Sequence, residues 1–229
     1  MAGNLAKTLL VVLGGYLLGS IPFGLLLAKL FGDKDVRQHG SGNIGATNVS
    51  RVVGPIAGIT TLLLDAAKGA AAVLLAARIA EHAAAPMIFA GIAALLGHCF
   101  PVWLKLKGGK GVATALGVFI ALCPLAALVS FILFLLVVIF WRYVSLGSLT
   151  AAAAMPLLIY FLWAPGHAPP LVITLGTLLA AGLIFYKHDA NLERLVDGTE
   201  PKYSLGDSKG EDDCRRVSPC GLQSEGRSG

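Results

Sequence analysis

Apolar stretches of bilayer length recur from one end of this chain to the other, and such a pattern folds as a bundle of membrane-crossing helices. Seven runs can be marked: Leu5–Phe31, Ile56–Ala80, Met87–Leu104, Val112–Leu122, Leu125–Phe140, Leu146–Trp163 and Leu171–Tyr186. Composition agrees. Of 229 residues 56% are hydrophobic and 14% charged, and the mean hydropathy is +0.76. Soluble domains carry about 25% charged residues, so a water-soluble globule is excluded. The fold class expected is all-α, a polytopic integral membrane helix bundle.

The first run is too long for a signal-peptide core of about 7–15 residues and its n-region has only Lys7, so an uncleaved first span is expected. The fourth run is too short to cross ~30 Å at 1.5 Å per residue. It either stands alone or joins the fifth through Cys123-Pro124 as one kinked helix. Lysine and arginine placement favours seven transmembrane helices. One face then receives Lys34, Arg37, Arg51, Lys105, Lys107, Lys110, Arg142, Lys187 and Arg194; the other keeps Lys7, Arg78 and the Ala164–Pro170 loop. The positive-inside rule makes the richer face cytoplasmic, with the N-terminus outside. The fourth helix must then be shielded by neighbours or sit in a thinned bilayer. From about Ser204 the composition turns to Gly, Ser, Asp, Lys and Arg, so 1–203 is expected to be the membrane domain and 204–229 a flexible polar tail. Cys99 and Cys123 fall in apolar context and are expected as small fillers; no cysteine spacing suggests a metal or a disulfide framework.

Seven crossings bring four polar segments to one side. His39–Arg51 packs three glycines, Ser41, Asn43, Thr47, Asn48 and Arg51 into a dozen positions. Glycine loops expose N–H groups in anion-binding concavities, and an arginine fork suits phosphate oxygens; a plain polar connection between helices is the other reading. The P-loop ending Gly-Lys-Ser/Thr is missing. Lys105–Thr114 sets Gly108 and Gly109 between lysines, just before a helix start, where N–H groups and the Lys110 ammonium would suit phosphate; Lys105 reads better as a basic anchor. In Trp141–Ser145, Arg142 and Ser145 are three apart, so one helical turn would aim both the same way, and Arg142 is equally a topology determinant. In Tyr186–Glu200, a helix would put His188 and Asn191 on one face, with Asp189 capping its start. A Ser–His–Asp triad is discounted because the G-x-S-x-G spelling occurs only at Gly206–Gly210, in the polar tail, away from the apolar strand-to-helix setting that a nucleophile elbow needs. Inside the second run Asp65 and Lys68 sit at i and i+3, which suggests an ion pair facing the bundle, structural or functional; His98 reads as a packing or hydrogen-bonding residue.

These four segments together resemble the bacterial acyl-phosphate-dependent glycerol-3-phosphate acyltransferases, over roughly residues 5–201. The resemblance implies transfer of a fatty acyl group from acyl phosphate to the 1-hydroxyl of glycerol 3-phosphate. The products would be lysophosphatidic acid, which starts phospholipid synthesis, and inorganic phosphate. By motif it implies catalytic roles for Lys110, Arg142, Ser145, His188 and Asn191, and phosphate binding by Ser41, Gly42, Asn43, Thr47, Asn48, Arg51, Gly108 and Gly109; Glu200 matches a glutamate expected to be structural. It further implies the bacterial inner membrane, no cofactor or metal, no nucleic acid, membrane lipids as surroundings, and the enzyme that makes acyl phosphate as a candidate partner. Substrate phosphate would assist deprotonation in place of a protein base. The residues agree: two phosphate-bearing substrates need cations and anion cradles, and an acyl phosphate, already a mixed anhydride, needs chiefly positioning and charge stabilisation. A His-x-x-x-x-Asp pair, the mark of thioester-dependent relatives, is absent: five residues beyond His39, His82, His98, His167 and His188 stand Ile44, Met87, Trp103, Val172 and Glu193. Two other classes remain: an anion or phosphate transporter, for which no pseudo-symmetric repeat is visible, and a membrane phosphotransferase, for which Asp65 is the only carboxylate within an expected span.

Overall fold

The structure is a computed structural model and describes residues 2–163 and 168–203. Every regular element among them is helical: α1 (Ala2–Gly19), α2 (Phe23–Gly32), α3 (Ala46–Val52), α4 (Pro55–Ile79), α5 (Ala84–Cys99), α6 (Val112–Leu122), α7 (Pro124–Trp141), α8 (Val144–Leu162), α9 (Leu171–Tyr186) and α10 (Asp189–Val196), with a 3-10 turn at Val102–Leu104. Five segments are long and apolar enough to cross a bilayer, or six if α9 and α10, bent by 61°, count as one. The shorter α6 falls below that length. At 1.5 Å per residue its eleven residues reach about 16 Å, and Thr114, Ala115, Gly117, Val118 and Phe119 are buried against its neighbours, the first of the two arrangements expected. The expected flexible tail, 204–229, lies outside the described residues, as do residues 164–167 of the Ala164–Pro170 loop.

Lipid tails compete with apolar side chains for apolar surface, so helices in a bilayer associate through close packing, and small residues allow it. α1 crosses α5 with Gly15 and Gly19 against the Ala90 and Ala94 backbone; α4 crosses α6 with Gly69 on Thr114 and Gly117 on Ala66. A Cβ at any of these glycines would overlap the facing main chain. α7 packs on α8, α8 on α9 and α9 on α5, enclosing a core that includes Ile88, Leu95, Phe119, Met155, Ile159 and Ile173, with Cys99 and Cys123 filling it as free thiols. Outward faces carry large apolar side chains such as Leu13, Ile59, Leu74, Leu128, Phe161 and Leu175, as lipid-facing helices must.

The first run is not one continuous helix. It breaks at Ser20-Ile21-Pro22, because Pro22 has no N–H to carry the ladder through. The Ile21 carbonyl at the break accepts from the Phe23 N–H at 3.1 Å and from Lys68 Nζ at 2.9 Å, and Lys68 pairs with Asp65 at 2.7 Å, both side chains 2% exposed. A broken helix at membrane depth is tolerated when its freed groups find such partners. The third run also departs from expectation: α5 stops at Cys99, and Pro101 turns the chain into the 3-10 segment.

Candidate functional site

Asn48 organises the loop after α2. Its buried amide donates to the carbonyls of Val36 (3.0 Å), His39 (3.1 Å) and Asn43 (2.8 Å), and its Oδ1 accepts from the Ser41 N–H at 2.9 Å. Gly40, at φ 59°, lies so close to that oxygen that a Cβ would strike it. The Gly45 N–H is taken by Asn43 Oδ1 at 2.8 Å and the Gly42 N–H by His39 O at 3.1 Å. The expected open nest is therefore largely internally bonded, and its second half is α3 rather than loop. What this segment presents to the bundle end is a set of side chains, Ser41, Asn43, Thr47 and Arg51, beside the first turn of α3.

The glycines at 108 and 109 are likewise spoken for. Their N–H groups donate to Cys99 O and His98 O, each at 3.1 Å, so the loop is stitched onto the end of α5. The Gly109 backbone lies on the His98 imidazole, where a Cβ would collide with the ring, and Gly108 is equally crowded by Pro101 and the α5 carbonyls. Two glycines are needed because the loop must come this close, not because their amides face an anion. The next residue, Lys110, is thereby held in the cavity.

That cavity, about 540 Å³, is where the polar segments meet. Its walls include Ser41, Asn43, Thr47, Asn48 and Arg51, then Lys110, Ser145, His188, Asn191, Arg194 and Glu200, with Asp65 and His98 also among them. Lys110 Nζ donates to Asn191 Oδ1; Asn191 Nδ2 donates to Glu200 Oε1 at 2.6 Å; Arg194 Nε donates to Glu200 Oε2 at 2.8 Å. Burial, with the nearby Arg194, Arg51 and Lys187 charges, outweighs Glu200 and lowers the Lys110 ammonium to about 8. Burial pushes Glu200 up, but hydrogen bonding from Ser145, Asn191 and Arg194 prevails and holds its carboxyl below the usual value. Ser145 Oγ is buried against Glu200, a contact short of good hydrogen-bond geometry, and meets no other partner among the described residues. His188, buried at the N-cap of α10, donates from Nδ1 to Ile184 O at 2.7 Å, since a carbonyl can only accept. That bond leaves Nε2 with its lone pair. Burial lowers the ring to about 4, so it is neutral at physiological pH. Asp189 is in the first turn and not the cap expected.

Four residues expected at the site are not in its walls. Gly42, Gly108 and Gly109 serve the backbone, and Arg142 is exposed on the αL cap of α7 at φ 63°. That conformation ends α7 before α8 begins at Val144, so Arg142 and Ser145 do not share a helical face. Conversely, Arg194 enters the wall unforeseen. Its spacing of three from Asn191 on α10 is the signal that could have found it. Asp65, the ion-pair partner of Lys68, and His98, 3.5 Å from it, both stand in the cavity wall.

A second cavity, about 320 Å³ and almost wholly apolar, opens between α4, α6, α7, α8 and α9. Leu116, Phe119, Phe131, Leu135, Met155 and Ile184 line it, and it shares Thr47, Leu62, Val112, Phe134 and Ser148 with the polar one. A cation-lined chamber thus adjoins an apolar slot inside a membrane bundle. These features define an integral membrane protein built to hold molecules that are phosphate-like at one end and lipid-like at the other.

The comparisons with known proteins agree. The family model described as glycerol-3-phosphate acyltransferase matches residues 9–198, and the chain belongs to that family. Glycerol-3-phosphate acyltransferases of Trichlorobacter lovleyi and Syntrophotalea carbinolica are 54% and 49% identical to it, over 84% and 85% of this chain and 95% and 96% of theirs. The crystal structure of PlsY (YgiH), an integral membrane glycerol 3-phosphate acyltransferase, in its glycerol 3-phosphate form, superposes with a TM-score of 0.80 at 41% identity. It covers 86% of this chain and 96% of that one; the lysophosphatidic acid form gives 0.78 at 40%.

Proposed function

We propose that the protein is a glycerol-3-phosphate 1-O-acyltransferase that takes its acyl group from acyl phosphate and releases lysophosphatidic acid and inorganic phosphate. The observation that carries this is the continuity of the two cavities. A phosphate head among Arg51, Lys110 and Arg194 would leave its tail beside Phe134 and Leu116. The 1-hydroxyl oxygen of glycerol 3-phosphate attacks the acyl carbonyl, the carbon–oxygen bond to phosphate breaks, and phosphate leaves with the electron pair. Lys110 stabilises charge on the phosphate oxygens. Ser145 Oγ, buried without a well-aligned protein partner, and His188 Nε2 are the groups available to orient the hydroxyl. A ring titrating near 4 is a weak base, so the proton goes to substrate phosphate, and His188 positions. Ser41, Asn43 and Thr47 complete the cradle, while Gly42, Asn48, Gly108 and Gly109 shape it.

We further infer seven crossings, counting the short α6 and also α9, in the bacterial inner membrane, with the N-terminus outside and the chamber cytoplasmic. Residues 1–203 form the catalytic unit. A supply of water-soluble glycerol 3-phosphate from the cytoplasm fits that orientation, and the enzyme that makes acyl phosphate is the candidate partner. The test is to incubate purified protein with both substrates. Lysophosphatidic acid and phosphate should appear in equal amounts; phosphate release without lipid product would refute acyl transfer.

A further inference from the structure

Arg142 pairs with a stretch of chain sixty residues away. Its Nε donates to Tyr203 O at 3.1 Å, and its own carbonyl accepts from the Tyr203 N–H at 2.7 Å. Lys202 lies over the neighbouring Tyr143 ring at 5.8 Å. The other end of that stretch is tied to α10, where the Thr199 and Glu200 N–H groups donate to Arg194 O at 2.8 and 3.0 Å after a turn at Gly198. Residues 199–203 therefore form a strap anchored at both ends. Within the strap, Glu200 and Pro201 wall the polar chamber, and Tyr203 walls the apolar slot. Glu200 in turn holds Asn191, and Asn191 accepts from Lys110.

We propose that Arg142 is a positioning residue: it clamps the strap that carries Glu200 and Tyr203 into the walls, and it acts on the substrates through them without touching phosphate. Two further observations support this. The residue is exposed and lines neither cavity. It also stands in left-handed backbone at φ 63°, where glycine would be easier and the arginine side chain has to offset the strain. Here the side chain meets a main-chain carbonyl of the strap. The role rests on the acyl-transfer reading above.

The test is a double-mutant cycle on the full chain. Tyr203→Pro removes the N–H that Arg142 accepts, and Tyr203→Ala keeps it as a control for the slot wall. Arg142→Ala and Tyr203→Pro should each cut kcat/KM about tenfold and raise KM for acyl phosphate, and the double variant should be no worse than the poorer single. Arg142→Gly relieves the positive φ and keeps the main-chain bond, so it should remain folded with a loss no greater than that of Arg142→Ala. Losses that multiply to about a hundredfold in the double variant would mean that Arg142 contacts substrate directly, overturning the proposal. Absence of lysophosphatidic acid from the unmodified protein would instead overturn the acyl-transfer reading.

Discussion

Lys110 is the residue on which most of the site's electrostatics converge. It is lowered to about 8 by burial, so the free enzyme loses this cation as pH rises through about 8. The profile of kcat/KM for glycerol 3-phosphate should accordingly fall on its alkaline side near pH 8, because the ammonium exists only below its pKa. A bound phosphate favours the charged form, so the limb for kcat should lie higher. Lys110→Ala removes a charge-assisted contact worth a few kcal/mol and should cost roughly a hundredfold in turnover. A flat profile from pH 7 to 9.5 in the unmodified enzyme would contradict the assignment. His188 behaves oppositely. Being neutral down to about 4, it should add no limb between pH 5 and 7, and His188→Ala, losing an orienting hydrogen bond of about 1 kcal/mol, should retain a tenth or more of the activity. An acidic limb near 6.5 that vanishes in His188→Ala would make histidine the base after all.

At the scale of elements, the loop from Gly108 to Gly111 depends on α5 more than on any ligand. Gly109→Ala would drive a methyl into His98, and Gly108→Ala would drive one into the α5 carbonyls and Pro101. Either should move Lys110 and cost at least tenfold in kcat/KM, while thermal unfolding in detergent shows the bundle still assembled; unaltered kinetics in both would mean that the contact is not required. The helices were largely legible in the sequence, since an apolar run between polar turns has few alternatives at bilayer length: α6 and α9 run as expected and α7 and α8 differ by a residue or two. The loops were legible in composition but not in bonding. Glycine-rich stretches suggest open amide nests, yet His39 O, Asn43 and Asn48 take the amides of the first and the α5 carbonyls those of the second. The break at Pro22 was visible as a proline, but its tolerance depends on Lys68, forty-seven residues away. The contact between Arg142 and Tyr203 was illegible for a similar reason, because the two are close only in space.

For the whole molecule, the inferred topology makes one end wet and cytoplasmic. The opposite end carries the exposed Lys7–Glu81 pair at 2.8 Å and the turn from α4 to α5. Cysteines introduced at Glu81 should react with an impermeant reagent added outside intact cells, whereas one at Asp197 should not; the reverse would invert the orientation. The same architecture bears on the donor. A thioester donor would ask for a surface to hold a nucleotide or a carrier domain, and the loops around the chamber are short, whereas an acyl phosphate asks only for cations and an apolar slot. The most direct measurement supplies purified enzyme and glycerol 3-phosphate with palmitoyl phosphate or palmitoyl-CoA at matched concentration and follows lysophosphatidic acid with phosphate or thiol release. Palmitoyl phosphate should yield product with one phosphate per acyl transferred and palmitoyl-CoA little or none. Comparable rates from both, or no product from palmitoyl phosphate, would contradict the account.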